Sequence, residues 1–112
     1  MDSSLSATWQ VEGDRWTCAL VGEIDMQSVL DLDKELKWFL RQPDFPAELS
    51  FDLKDVTFID SASLTYLGAF YRRYAQALNG RAIPVVRLLN VRPFLLRVLV
   101  ISGMDTLFHL EP

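Results

Sequence analysis

The stretch Val56-Thr57-Phe58-Ile59-Asp60-Ser61-Ala62-Ser63-Leu64 constrains this chain more than any other. It begins as an apolar run of β-branched and aromatic residues, turns polar at Asp60-Ser61, and continues with apolar residues at helical spacing. This is the pattern of a buried strand running directly into a helix. Asp60 and Ser61 stand at the junction, where a helix has its first unpaired N–H groups.

The segments around this junction repeat the alternation. Residues 6–12 place Ala7, Trp9 and Val11 on one side, as a half-buried strand does. Gly13-Asp14 is a tight-turn signal, and Arg15 to Val21 reads as the returning strand of a hairpin. Gly22-Glu23-Ile24-Asp25 ends that hairpin and leads into a helix. From Ser28 to Leu40, Val29, Leu32, Leu36 and Phe39 share one helical face, with Asp31, Asp33, Lys34, Glu35 and Lys37 mostly opposite. Pro43 and Pro46 bracket a loop. Glu48 to Leu53 is the next strand, with Lys54-Asp55 as a brief interruption before Val56 to Ile59. After Ser61, Leu64, Leu67, Tyr71, Tyr74 and Leu78 are spaced three and four apart, and Arg72, Arg73 and Gln76 point to solvent. Asn79-Gly80 is a left-handed stop. Ile83 to Leu89 reads as another buried strand. Asn90 is a candidate N-cap, with Pro93 in the first turn of an apolar helix carrying Phe94, Leu95, Val98, Leu99 and Ile101. Ser102-Gly103 ends that helix, and Leu107 to Leu110 is a final short strand or extended tail. The order β-β-α-β-α-β-α-β implies an α/β fold with crossover connections and a mostly parallel sheet behind an N-terminal antiparallel hairpin.

At 112 residues the chain is long enough for one core, so residues 1–112 are expected to form a single domain. Several classes of function are disfavoured. No apolar run approaches a membrane span, and Met1-Asp2-Ser3-Ser4-Leu5-Ser6 lacks the basic and apolar segments of a signal peptide. Cys18 is the only cysteine, set between apolar neighbours as a small buried side chain, so an internal disulfide is impossible. These features favour the cytoplasm. The net charge of −4 divides into −7 over residues 1–56 and +3 over residues 57–112. That division reads as solvated faces, and the overall acidity argues against direct contact with nucleic acid. There is no Gly-rich phosphate loop or dinucleotide fingerprint. One His and one Cys give no basis for a metal site. A hydrolase would need Ser61 as nucleophile and His109 as base, but Ile59 and Ser63 stand where a nucleophile elbow has glycines. No catalytic residue, metal or cofactor is expected.

Three segments together carry a family resemblance. Gly22-Glu23-Ile24-Asp25 follows the second strand. Asp52-Leu53-x-x-Val56-x-Phe58-Ile59-Asp60-Ser61-x-x-Leu64 spans the next strand and helix start. Ile101-Ser102-Gly103-Met104-Asp105-x-Leu107-Phe108 closes the last helix. In order and spacing, from about Trp9 to Phe108, the chain resembles the STAS domain family, specifically the small stand-alone anti-sigma factor antagonists. The resemblance implies a STAS-like mixed, mostly parallel sheet of four to five strands, with helices packed on one face, no cofactor and no catalysis. It implies a partner, a GHKL-type serine-protein kinase that doubles as an anti-sigma factor. The unmodified antagonist binds the kinase and frees the sigma factor, phosphorylation disables it, and a PP2C-type phosphatase restores it. Carried onto this chain, the phosphoacceptor is Ser61. The partner-binding residues are Asp25, Asp60, Ser61, Ala62, Ser63 and Leu64, with Leu64 offering apolar contact. The family motif is Asp-Ser-Ser/Thr-Gly-Leu. Here Ala62 lacks the second hydroxyl and Ser63 takes the place of glycine.

Elementary physics is compatible with such a switch. A serine at a helix N-terminus is accessible, and the helix tolerates an anion there. The phosphate, with a charge of roughly −2, acts on the interface and leaves the fold intact. A second STAS reading is a module that binds without being phosphorylated, such as the small subunit docked on the ATPase of a bacterial phospholipid transporter. That class tends to carry Thr after the Asp, where this chain has Ser61. A third, from a different class, is a small enzyme or nucleotide-binding protein, for which the chain has no predictive loop. The three tryptophans, Trp9, Trp16 and Trp38, are expected in the core or at its rim, giving a monomer or a weak dimer.

Overall fold

Gly13, at φ 63°, closes the first hairpin by turning the chain through a left-handed conformation that a side chain disfavours. In the computed structural model, which describes residues 5–112, this turn joins β1 (Leu5–Glu12) to β2 (Arg15–Ile24). Met1 to Ser4, read above for a targeting segment, lie outside the described residues. The elements that follow are α1 (Val29–Arg41), β3 (Glu48–Ile59), α2 (Ser61–Leu78), β4 (Val85–Leu89), α3 (Pro93–Ile101), a 3-10 turn (Met104–Thr106) and β5 (His109–Glu111). This is the order expected from the sequence.

The strands form one sheet in the order β1-β2-β3-β4-β5, antiparallel between β1 and β2 and parallel thereafter. Each parallel step moves one strand in the same direction through a helical crossover. Crossovers of one hand then stack the helices on one face. Alternation along β3 records this layering. Leu49, Phe51 and Leu53 are buried, whereas Ser50 and Asp52 are partly exposed on the other face. The core between sheet and helices contains Leu20, Ile24, Leu32, Leu36, Phe39, Phe51, Phe70, Tyr74, Leu88 and Leu99. Cys18 is buried there too, and burial, with the Glu35 charge second, pushes its thiol pKa up to about 12.

Four expectations are corrected in detail. Lys54-Asp55 does not interrupt the strand. The β2–β3 register shifts between Ala19 and Val21 and again between Gly22 and Glu23, so β3 carries an extra residue at each shift. Two bulges convert the period of two into a period of three, which is why Leu53, Val56 and Ile59 are all buried. Ile83 does not begin the fourth strand: it is 80% exposed, and Pro84 beside it has no N–H for the ladder. Asn90 does not cap α3. It adopts φ 56° and donates through Nδ2 to Asp52 Oδ1, while Arg92 is the N-cap residue and Pro93 opens the helix. Arg73 does not simply point to solvent, since its guanidinium donates to Asp33 across the α1–α2 contact. The tryptophans occupy the rim as expected. Trp9 stacks on Phe39 with ring centroids 5.7 Å apart and donates Nε1–H to Glu35, while Trp38 is the most exposed of the three.

Candidate functional site

Asp60 directly follows the last residue of β3 and is the N-cap of α2, and its two carboxylate oxygens face different helices. Oδ1 accepts the Ser63 backbone N–H at 2.8 Å, capping α2, and Oδ2 accepts the Met26 N–H at 3.0 Å. The Asp60 N–H donates to the Ile24 carbonyl at 3.1 Å, so the ends of β2 and β3 are joined as well. One side chain thus holds the start of the α1 turn beside the start of α2.

The α1 side has its own box. Asp25 Oδ1 accepts from the N–H of Gln27 and of Ser28, and Ser28 Oγ accepts from the Asp25 N–H. Ser28 Oγ also donates to the Glu23 carbonyl. These reciprocal bonds are those of a capping box, with serine in the place of the usual Glu or Gln. They make Asp25 the effective cap of a helical turn that starts ahead of α1 proper, as the Val29 N–H to Asp25 carbonyl bond also indicates. The Asp25-x-x-Ser28 spacing was the available sequence signal for this box, which sequence reasoning missed. The link from Asp60 to Met26 has no such signal, because the two residues are 34 positions apart.

Both carboxyls are held below the ordinary aspartate value of 3.8. At Asp25 the Ser28 N–H is the main cause, opposed in part by the nearby Asp60 charge. At Asp60 the Ser63 hydroxyl has the largest influence, followed by the Ser63 and Met26 N–H groups. That hydroxyl is fully buried, and no hydrogen bond of ordinary geometry engages its oxygen. The two aspartates are therefore ionised at neutral pH.

Ser61 is the first residue of α2, exposed, and its hydroxyl makes no hydrogen bond to any described residue. Ala62 beside it is exposed too. With the Ser63 N–H given to Asp60, the N–H groups of Ser61 and Ala62 have no acceptor among the described residues. The structure separates the six residues singled out from sequence. Asp25, Asp60, Ser61 and Ala62 meet at the surface. Ser63 and Leu64 turn inward, at 0% and 6% exposure, so neither presents its side chain to a partner. Leu64 fails as the apolar contact because its helical position faces the core. The exposed apolar side chains on this rim are instead Met26 and, one turn further along α1, Leu30.

Other chemistry has less support. Among the described residues there is no group of three or more His, Cys, Asp or Glu side chains able to hold a metal ion. No helix among the described residues is long and apolar enough to cross a membrane. His109 lies in β5, and Ser61 opens α2 after β3, so β4 lies between their two strands. A cleft of about 490 Å³ lies on the helix-free face of the sheet around Thr17, Ser50 and Arg87, and none of the six candidate residues lines it.

Comparison with known proteins follows this geometry. A family model described as "Mlab, STAS domain" matches residues 8–111. Comparison with curated proteins finds no match. Among solved structures, an anti-sigma factor antagonist from Mycobacterium paratuberculosis superposes at a TM-score of 0.80 with 24% identity, covering 97% of this chain and 86% of that one. The anti-sigma factor antagonist SpoIIAA in its unphosphorylated form superposes at 0.68 with 17% identity, covering 96% and 89%. The Bacillus cell fate determinant SpoIIAA in its phosphorylated form does so at 0.64 with 18% identity, covering 96% and 92%. These likenesses show a shared fold, the five-stranded mixed sheet with its helices.

Proposed function

The chain belongs to the STAS domain family, and we propose that within it this protein is an anti-sigma factor antagonist switched off by phosphorylation of Ser61. The observation that carries the reading is the unbonded, exposed hydroxyl of Ser61 at the first position of an 18-residue helix. The description of structurally similar proteins as anti-sigma factor antagonists supports the role, and the existence of SpoIIAA in phosphorylated and unphosphorylated forms supports the switch.

The proposed mechanism needs no catalysis by this chain. The unmodified rim of Asp25, Met26, Asp60, Ser61 and Ala62 binds a GHKL-type serine kinase that is also an anti-sigma factor. That kinase transfers a phosphoryl group from ATP to Ser61 Oγ, releasing ADP and the hydroxyl proton. The phosphate is accommodated locally because the Ser61 and Ala62 N–H groups and the helix dipole favour an anion. Asp25 Oδ1 and both oxygens of Asp60 are already engaged, and the two residues stay charged, so the rim becomes strongly negative and desolvated contact there is lost. A phosphatase of the PP2C type resets the switch in the cytoplasm.

The test is incubation with the cognate kinase and ATP, read by intact-mass and fragment mass spectrometry. One phosphate is expected on wild type and none on Ser61→Ala. Phosphate at another residue, or none with a kinase that binds tightly, overturns the switch. A second reading has its own support in the description of the matching family model, which names Mlab. In it the same rim docks, unmodified, on the ATPase of a phospholipid transporter. A pull-down from the native host separates the two by recovering either a kinase or a transport ATPase.

A further inference from the structure

We propose that Ser63 is a positioning residue for Ser61, a role that rests on reading Ser61 as the phosphoacceptor: the buried Ser63 hydroxyl serves the Asp60 carboxylate and so keeps that carboxylate from engaging Ser61 Oγ. Two helix starts in this chain share one spacing, Asp25-Met26-Gln27-Ser28 ahead of α1 and Asp60-Ser61-Ala62-Ser63 at α2. Both closing serines are buried, at 2% and 0% exposure. At the first start the box is closed. Ser28 Oγ accepts the Asp25 N–H at 2.9 Å and donates to the Glu23 carbonyl at 2.7 Å. At the second it is open. The Asp60 N–H goes to the Ile24 carbonyl of β2 instead, and Ser63 Oγ is left with no partner of ordinary geometry. A buried hydroxyl without a partner destabilises a fold, and a methyl group would fill the same space without that penalty. Packing alone therefore does not account for a hydroxyl at this position.

The Asp60 carboxylate does account for it. Oδ1 takes the Ser63 N–H at 2.8 Å, which brings the Ser63 side chain to the same carboxylate. Among the groups that hold Asp60 ionised, the Ser63 hydroxyl has the largest influence. A serine O–H turns about its C–O bond, so its proton can be directed to the carboxylate without moving the backbone. Oδ2 is held by the Met26 N–H at 3.0 Å. Two donors of Ser63 and one of Met26 then serve one carboxylate, and none comes from Ser61. Ser61 Oγ, on the residue next to Asp60, bonds to no described residue. Without the Ser63 hydroxyl, the carboxylate has room for the Ser61 O–H. A bonded Ser61 must give up that bond before its oxygen attacks phosphorus. The transfer itself is unchanged: the γ-phosphoryl group passes from ATP to Ser61 Oγ, and ADP and the hydroxyl proton leave.

NMR titration of the side-chain carboxyls in the full chain tests the link without a kinase. Asp25, in the turn into α1, is the other titratable group facing Asp60, and it is the internal control. In Ser63→Ala the Asp60 midpoint is expected to rise above its wild-type value while that of Asp25 stays, and the melting temperature is expected to hold or rise. The Ser61 Hα–Hβ couplings are expected to change from rotamer-averaged in wild type to those of one rotamer in Ser63→Ala. With the cognate kinase and ATP, Ser63→Ala is expected to lose about three- to ten-fold in kcat/KM for phosphorylation of Ser61, at unchanged affinity for the kinase. Circular dichroism verifies folding, and should Ser63→Ala not fold, Ser63→Gly carries the same comparison. An Asp60 midpoint that does not move overturns the proposal, since Ser63 then only fills space. Unchanged couplings or an unchanged phosphorylation rate overturn it too. A wild type that takes no phosphate overturns the reading of Ser61 instead, and the titration and couplings still decide whether Ser63 holds Asp60.

Discussion

At Asp60 one carboxylate serves two helices, and this decides how the site responds to mutation and pH. Asp60→Ala removes the acceptor for the N–H of Ser63 and of Met26 together. It is expected to lower the thermal midpoint by a few degrees and to raise amide hydrogen exchange at Met26 and Gln27, on an element remote in sequence. The pH dependence follows from the lowered folded pKa of Asp60 and Asp25 relative to 3.8. A carboxyl with a depressed folded pKa contributes its full stability above the unfolded value and loses it as pH falls through the folded value. The gap between wild type and Asp60→Ala should therefore be constant near neutrality and close progressively below pH 3.8. Thermal melts across that range check it. A gap that stays open at the acid end would mean that the ionised carboxylate is not what holds the two N–H groups.

At the scale of elements, α1 and α2 are joined on their outer sides by a polar cluster around Asp33. Its carboxylate accepts from the Tyr66 hydroxyl at 2.8 Å and from Arg73 at 3.0 Å, and pairs with Lys37 one turn along α1. The Arg73 guanidinium also lies over the Tyr66 ring. Burial and the adjacent Asp33 push the Tyr66 phenol well above the usual tyrosine range, so it remains a donor at any physiological pH. Asp33→Ala takes the acceptor from the Tyr66 O–H and leaves the guanidinium its bond to the Tyr66 oxygen. The expected cost is about 1 kcal/mol, since hydrogen bonds to a charged group are worth more than neutral ones while the exposed Lys37 pair adds little. Denaturant melts of Asp33→Ala, Tyr66→Phe and the double variant should reveal non-additive coupling between the two sites. Additive losses would show that the cluster does not act as one unit.

Across the whole molecule, the site sits where the ends of two strands and the starts of two helices meet, and the switch can be electrostatic. Asp60 joins the ends of β2 and β3, and α1 and α2 both start there. A charge added at Ser61 meets a helix start, where an anion is worth about 0.3–1 kcal/mol, offset by repulsion from the two aspartates. Ser61→Asp should accordingly leave the melting temperature and far-UV spectrum almost unchanged while weakening binding to the partner. Calorimetric melts together with a binding titration measure the two. A large loss of stability would make phosphorylation a folding switch instead.

Local chemistry in the chain determined much of this protein. The periodicities of α1 and α2, the Gly13 and Asn79-Gly80 turns and the strand–helix alternation were all legible, because each depends on residues a few positions apart. The exposed Ser61 and the Asp60 cap belong to the same class, since a helix start is a local structure. Tertiary structure decided what local patterns cannot. The two bulges in β3 shift which residues face inward, and only the register with β2 reveals them. Leu64 and Ser63 looked available beside Ser61, yet packing against the sheet buries both. Met26 enters the site through a bond to a residue 34 positions away, and Arg73 leaves solvent for Asp33 on another helix. Short-range sterics and hydrogen bonding fix which elements form. Which of their side chains remain for a partner depends on what the rest of the chain has already covered.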